Sequence, residues 1–204
     1  MAPSSPRRNN ADWILIASAG SFLVLALAVM TVEPFPGDAA ARAWLLGFGS
    51  PGVVRVMRVI NYLGNWRVLL PATLLLLVAF PRARERWWVW VGLMPAAPAA
   101  EGLLKILIGR ARPEESSMGF PSGHATAAAA FFGAVMYLAA SLPPPTRAAV
   151  RAASALLIVL VALARVILRA HWPVDTLAGV ALGLVVASIA ALLAGLGRTP
   201  EPAS

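Results

Sequence analysis

The chain has 204 residues, 59% of them hydrophobic and only 13% charged, with a formal net charge of +8. Long uncharged apolar stretches in such a composition exclude an ordinary soluble domain and are what membrane spans require. Cysteine is absent, which excludes disulfides, thiolate metal sites and a cysteine nucleophile. The arginines form short clusters between apolar runs and make no single basic face, a pattern of membrane topology and not of nucleic-acid binding.

In chain order, residues 1–12 read as a polar, basic tail carrying Arg7 and Arg8. An apolar run at 13–32 follows, near the ~20 residues needed to cross the hydrocarbon. It is too long for a usual signal-peptide core, so a retained anchor is expected in preference to cleavage near Ala39-Ala40-Ala41. Residues 39–61 are too interrupted to span. Their polar positions Arg55, Arg58 and Asn61 recur every three residues among Val, Met and Ile, as in an amphipathic helix lying at the interface. A packed connector with solvated arginines fits the same spacing. Further apolar runs at 66–80, 87–108, 124–142, 150–168 and 174–196 complete about six candidate spans. The run at 66–80 is short and is expected to borrow from the preceding "NYLGNWR". Residues 198–204 read as a disordered tail. The expected fold class is all-α, a polytopic membrane helical bundle with an interfacial amphipathic helix, in a single membrane-embedded domain over 1–204.

Loop charges set the orientation. Arg7 and Arg8, the "PRARER" stretch at 81–86, Arg147 with Arg151, and Arg198 all fall on one side of a six-span arrangement. By the positive-inside rule that side is cytoplasmic and holds both termini. Trp87, Trp88 and Trp90 are expected to form an aromatic belt just inside it. The opposite face receives the interfacial helix and the loops at 109–123 and 169–173, and with them both histidines of the chain.

Three clusters on that face carry chemistry. In "KILIGRARP" the only lysine, Lys105, stands near the end of an apolar helix, where an ionisable group is a functional candidate by default. Snorkelling to the interface, or pairing with Glu101 one turn earlier, are the structural alternatives. Arg110 and Arg112 follow, and an arginine stiffened by the next proline, near a lysine, suits a phosphate group. In "FPSGHATAAAAFF", Ser122 and Gly123 precede a long helix whose first N–H groups and dipole make an anion site. Gly123 permits close approach of a ligand to the backbone, and His124 faces whatever anion is held. In "ARVILRAHWPVDTLAG", Pro173 suits the first turn of the last span and brings Asp175 back toward His171. A carboxylate on one imidazole nitrogen leaves the other free to attack. Asp175 as a plain helix-N-terminal charge is the simpler alternative.

These residues resemble the type 2 phosphatidic acid phosphatase superfamily of integral-membrane lipid phosphatases, which is related to acid phosphatases and vanadium haloperoxidases. The family pattern is Lys, six residues, Arg-Pro; then Pro-Ser-Gly-His; then Ser-Arg, five residues, His, three residues, Asp. It is matched by Lys105 and Arg112-Pro113, by Pro121-Ser122-Gly123-His124, and by Arg165, His171 and Asp175. One position departs from it: Ala164 stands where the family has serine. "YLGNW" looks like the short Leu-Gly motif often seen early in such proteins, and the resemblance extends over 39 to about 183.

The resemblance implies that His171 is the nucleophile, that Asp175 orients it, and that His124 protonates the leaving oxygen and later activates water. It implies that Lys105, Arg112, Ser122, Gly123 and Arg165 hold the phosphate oxygens, with no metal and no cofactor. The implied partners are the bilayer and a membrane lipid bearing a phosphate or diphosphate headgroup, hydrolysed at the outer face of a plasma (inner) membrane. Undecaprenyl diphosphate, phosphatidylglycerol phosphate, phosphatidate and lipid A 1-phosphate are the candidate substrates. A non-catalytic lipid-phosphate binder or transporter on the same fold, or a haloperoxidase, are the competing readings. Nothing in the sequence speaks to oligomeric state.

Overall fold

The structure is a computed structural model, described here over residues 10–32 and 35–196. Arg7, Arg8, Arg198 and the tail at 198–204 lie outside the described residues. Among those described, α1 (Asn10–Thr31), α2 (Asp38–Leu46), α3 (Pro51–Asn61), α4 (Trp66–Ala79), α5 (Pro81–Glu85), α6 (Trp87–Ile108), α7 (Gly123–Leu138), α8 (Pro144–Ile167) and α9 (Pro173–Leu193) are α-helical. No strand forms there beyond one isolated bridge between Ala111 and Met118. The protein is a helical membrane bundle. Among the described residues five helices are long and apolar enough to span, α1, α6, α7 with its 3-10 extension to Ser141, α8 and α9, or six if the bent pair of α2 with α3 counts as one span. Many large apolar side chains on them, including Leu23, Val24, Leu27, Ile106 and Leu193, stay exposed, because lipid and not water is their surrounding.

Two expectations need correction. The single interfacial helix at 39–61 is two helices: α2 and the segment Pro51–Gly64 meet at 113°. Gly47 and Gly49 end the first, and Ser50 with Pro51 starts the second, the Ser50 hydroxyl accepting from the Val53 N–H. Trp90 is not part of an exposed belt. It lies in the core at 3% exposure, whereas Trp87 and Trp88 are exposed. The short run at 66–80 forms α4, entered through a 3-10 turn at Tyr62–Gly64.

The contact that organises the bundle is α7 against α9. Both helices present small residues to each other: Ala125, Ala129 and Gly133 face Gly179, Gly183 and Ala187. Two helices built this way bring their backbones close, which favours association where apolar lipid offers no hydrophobic drive. A Cβ placed on Gly179 would stand 2.6 Å from the Ser122 carbonyl oxygen and 3.0 Å from the Ala125 Cβ, so only glycine permits this separation. Lower down, the Tyr137 and Ser188 hydroxyls share a buried 2.9 Å hydrogen bond. Helix α1 covers the other flank of α9, where Phe22, Ala26 and Val29 pack with Phe120, Ala178 and Leu182. At one end of the bundle lie the starts of α7 and α9 and the end of α8. The opposite end holds a cavity of about 660 Å³ that brings Asn10, Arg82, Arg147, Arg151 and Leu196 together.

Candidate active site

The first half of the site is the start of α7. Ser122 occupies the N-cap position in extended geometry, yet its hydroxyl does not cap. The Ser122 N–H instead donates to the Asp175 carbonyl at 2.9 Å, and the Ser122 carbonyl accepts from both the N–H and the hydroxyl of Thr126. The hydroxyl oxygen is left fully buried with no partner. A buried polar atom without a protein partner is uncommon. His124 follows in the first turn, half-buried. Gly64 explains the early Leu-Gly pair: a Cβ there would come within 2.6 Å of the His124 carbonyl oxygen.

The second half is the turn from α8 into α9. Arg169 adopts a left-handed φ of 63°, and the N–H groups of Ala170 and His171 both donate to the Arg165 carbonyl, at 3.0 and 3.2 Å. The turn therefore folds His171 back beside Arg165. Pro173 takes the first position of α9 as expected. Asp175, fully buried, accepts from the Trp172 N–H at 3.1 Å and approaches His171 Nδ1 to 3.4 Å. At that distance the two are in contact without a closed hydrogen bond. With Nδ1 against the carboxylate, Nε2 is the nitrogen left for a ligand. Burial pushes the His171 imidazole below its ordinary value, opposed by Asp175 and reinforced by Arg165 and Arg112.

The third part is the end of α6 and the loop after it. Gly109 ends α6 at a φ of 68°. The loop is then pinned by the Arg112 N–H to the Ser117 carbonyl at 3.1 Å and by the Gly119 N–H to the Arg110 carbonyl at 2.6 Å. Arg112 pairs with Glu115 at 2.8 Å. The Ser117 hydroxyl and Arg112 together hold the Glu115 carboxyl below the usual carboxylate range. Lys105 does pair with Glu101, its neighbour one turn earlier. Glu101 also abuts Gly123, where a Cβ would stand 2.8 Å from its Oε1.

These parts share a cavity of about 350 Å³. Lys105, Arg112, His124, Arg165 and His171 line it at the polar end, with Glu101 among them. Leu69, Leu93, Met94, Ala127 and Phe131 line the remainder. The structure thus brings together the residues singled out from the sequence, with Ser122 and Asp175 directly behind them. Arg165 is held by Asn61 of α3 at 2.8 Å, so the regular polar spacing of α3 ends in a site contact. Ala164 is fully buried and does not line the cavity. Among the described residues no three His, Asp or Glu side chains cluster as metal ligands would.

Two residues make contacts the sequence reading did not anticipate: Asp38, which it did not single out, and Arg110, which it grouped with Arg112 near a phosphate. Arg110, 7% exposed, reaches Asp175 Oδ1 and Asp38 Oδ2, both at 2.7 Å. Asp38 also accepts from the Val174 N–H at 2.9 Å. Asp38 reads in the sequence as an ordinary acidic residue at a helix start, and no spacing signal links it to a loop 72 residues away.

Comparison with known proteins places the chain in a family. Residues 114–196 match the model of the PAP2 superfamily, and the Lys105–Arg112 motif lies just ahead of that stretch. The chain is 32% identical over 156 residues to the decaprenylphosphoryl-5-phosphoribose phosphatase of Mycobacterium tuberculosis, in strains CDC 1551 and H37Rv alike. The match covers 68% of this chain and 79% of the relative. Its fold resembles a transmembrane PAP2-type phosphatidylglycerolphosphate phosphatase from Bacillus subtilis, with a TM-score of 0.77 and 27% identity. That likeness covers 89% of this chain and 96% of the other. On the relative's identity and coverage together with the shared fold, this multi-pass membrane protein belongs to the PAP2 superfamily and is a phosphatase.

Proposed function

We propose that the protein hydrolyses the terminal phosphate of a membrane lipid through a phosphohistidine at His171, with the reaction at the outer face of the membrane. The observation that carries this is the shared cavity, whose cationic end meets both histidines and whose remainder is apolar. A water-soluble phosphate ester has no use for the apolar part. A lipid enters with its chain against Leu69, Leu93 and Met94 and its phosphate against Arg112 and Arg165.

Phosphate oxygens take the charge of Lys105, Arg112 and Arg165, the idle Ser122 hydroxyl and the Gly123 N–H at the start of α7. His171 Nε2 attacks phosphorus, and Asp175 at Nδ1 stabilises the imidazolium that forms. His124 protonates the departing lipid oxygen, then takes a proton from the water that cleaves the phosphohistidine. The charge neutralisation falls to the three cationic side chains.

The names of the two relatives support a narrower reading. Both describe lipids in which a hydroxylated group, ribose or glycerol, carries a further phosphate. That favours a phosphomonoester of this type, such as phosphatidylglycerol phosphate, over undecaprenyl diphosphate, phosphatidate or lipid A 1-phosphate. The outer-face assignment is supported by the gathering of Arg82, Arg147 and Arg151 at the opposite end, which by the positive-inside rule is cytoplasmic.

The test is phosphate release from the detergent-solubilised protein on a panel of these lipids, with and without EDTA. The phosphomonoester of a lipid-linked polyol is expected to be the best substrate, with EDTA without effect. His171→Ala should abolish release, and brief incubation of the parent with labelled substrate should trap acid-labile, base-stable phosphate on His171. Release by His171→Ala at the parental rate would overturn the phosphohistidine mechanism, and loss in EDTA would overturn its independence of metal.

A further inference from the structure

Behind the histidine–aspartate pair lies a buried chain of charges. Asp38 opens α2, and Arg110 follows the left-handed turn that ends α6. Asp175 stands in the first turn of α9. Arg110 Nη2 donates to Asp38 Oδ2 and Nη1 to Asp175 Oδ1, each at 2.7 Å, with all three residues at 7% exposure or less. Each carboxylate is further tied to the start of α9, Asp38 through the Val174 N–H and Asp175 through the Trp172 N–H. The Trp172 ring covers Arg110, its centroid 5.6 Å from the guanidinium carbon. A guanidinium buried this deeply persists only when its donors are satisfied with good geometry. None of these contacts touches the phosphate cavity, and neither Arg110 nor Asp38 lines it.

We infer that Asp38 and Arg110 are positioning residues for the nucleophile, holding the Asp175 carboxylate in one orientation and setting how much of its charge reaches His171. The inference rests on the reading of His171 as nucleophile and deepens it. Asp175 Oδ1 is committed to Arg110, so the carboxylate cannot rotate and Oδ2 is the oxygen turned to His171 Nδ1. Alone, Arg110 at 2.7 Å would cancel most of the charge that Asp175 offers the imidazole. Asp38 draws on the other side of the same guanidinium and restores that charge. The arrangement requires α2, whose Arg42 also pairs with Glu114 in the loop after α6. The bent α2–α3 unit thereby serves both halves, Asp38 acting on Asp175 and Asn61 on Arg165.

The other groups facing His171 are Arg165 on α8, Arg112 and Glu115 in the loop after α6, His124 on α7, and Lys105 with Glu101 on α6. None is altered in the test. The full-length enzyme is purified in detergent as parent, Asp38→Asn, Arg110→Gln, Arg110→Lys, the Asp38→Asn/Arg110→Gln double variant and His171→Ala. Their kcat and KM on phosphatidylglycerol phosphate are followed against pH.

Asp38→Asn leaves Arg110 uncompensated. It should lower kcat about 10-fold with KM little changed, and move the acid limb of kcat/KM to lower pH by about half a unit to one unit. Arg110→Gln should lower kcat about 100-fold, and Arg110→Lys should restore part of it. Because Asp38 acts through Arg110, adding Asp38→Asn to Arg110→Gln should cost nothing further. A merely structural Asp38, anchoring Val174, would lower stability and leave the acid limb in place, and its effect would add to that of Arg110→Gln. An unmoved acid limb in Asp38→Asn, or additive losses in the double variant, overturns the inference. If Arg110→Gln does not fold, the acid limb of Asp38→Asn decides alone. Full activity of His171→Ala is the separate result that overturns the underlying mechanism.

Discussion

Gly179 controls how closely the two halves of the site approach. It lies one turn beyond Asp175 on α9, and its missing side chain lets the Ser122 backbone sit against the helix. A Cβ there falls 2.6 Å from the Ser122 carbonyl oxygen, whereas comfortable carbon–oxygen approach begins at about 3.3 Å. Gly179→Ala therefore forces α7 and α9 apart by about 0.7 Å, the difference between those distances. The Ala125 Cβ, at 3.0 Å, blocks escape sideways. Overpacking of this size costs about 1–3 kcal/mol, equivalent to a fall of about 2–12 °C in Tm for a chain of this length. The displacement also separates Ser122, Gly123 and His124 from His171 and Asp175. Since a misplacement of about 1 Å costs as much as 100-fold in rate, kcat should fall by about 10- to 100-fold. Gly92→Ala is the control, because nothing lies within 4 Å of a Cβ at that position of α6. It should gain up to about 1 kcal/mol from the helix-favouring methyl and keep full activity. The assay is phosphate release at saturating lipid phosphate, beside thermal unfolding in the same detergent. A Gly179→Ala enzyme as stable and as active as Gly92→Ala would refute the argument that this glycine sets the helix separation.

Other consequences concern the groups around the phosphate. Glu101 occupies Lys105 beside the start of α7, so Glu101→Gln should release the lysine to substrate and lower KM by about 3- to 10-fold. An unchanged or raised KM would show that Glu101 does not compete with the phosphate. Asn61→Ala removes the side chain that holds Arg165 and should raise KM by about 5-fold, the value of one hydrogen bond, without abolishing turnover. Burial holds the His171 imidazole below its ordinary value. The acid limb of kcat/KM should therefore lie below about pH 6.5, and a limb above that value would count against a neutral, buried nucleophile. The same shift acts on stability: between the two values the unfolded chain binds a proton that the folded site refuses. His171 thus weakens the fold as pH drops from about 6.5 toward its folded value and leaves it untouched above, which unfolding measured across pH 5–7 will check.

Much of the molecule was legible from residue order because the relevant physics is local. Apolar runs of about 20 residues must cross the bilayer as helices, since their backbone polar groups have no other partner there. That argument located α1, α6, α7 and α9 to within a few residues, while α8 starts six residues ahead of the apolar run at 150–168, at Pro144. Likewise Pro173 at a helix start and Asp175 in its first turn bring the carboxylate back to His171 through a single turn of backbone. The site residues gathered as their spacing implied because each stands at the end of a span, and span ends on one side of a membrane are forced to be neighbours.

Tertiary structure decided what depends on groups distant in the chain. The bend between α2 and α3 turned one expected amphipathic helix into two short ones, because Gly47, Gly49 and Pro51 interrupt it, Asp38 finds the buried Arg110 and Asn61 the half-buried Arg165. Trp90 left the expected belt for the core because its face of α6 turns inward, a choice that helical spacing among three tryptophans does not make. The free Ser122 hydroxyl, the Glu101 carboxylate beside Gly123 and the Asp38–Arg110–Asp175 chain share a cause. Each is a matter of which charged or polar groups are left together once small-residue packing has drawn α7 and α9 into contact. Residue order alone determined that this chain is a membrane helical protein with basic and histidine side chains at the ends of its spans. Only the packing determined how those side chains are aimed, because burial and charge pairing across 72 residues have no signature in local sequence.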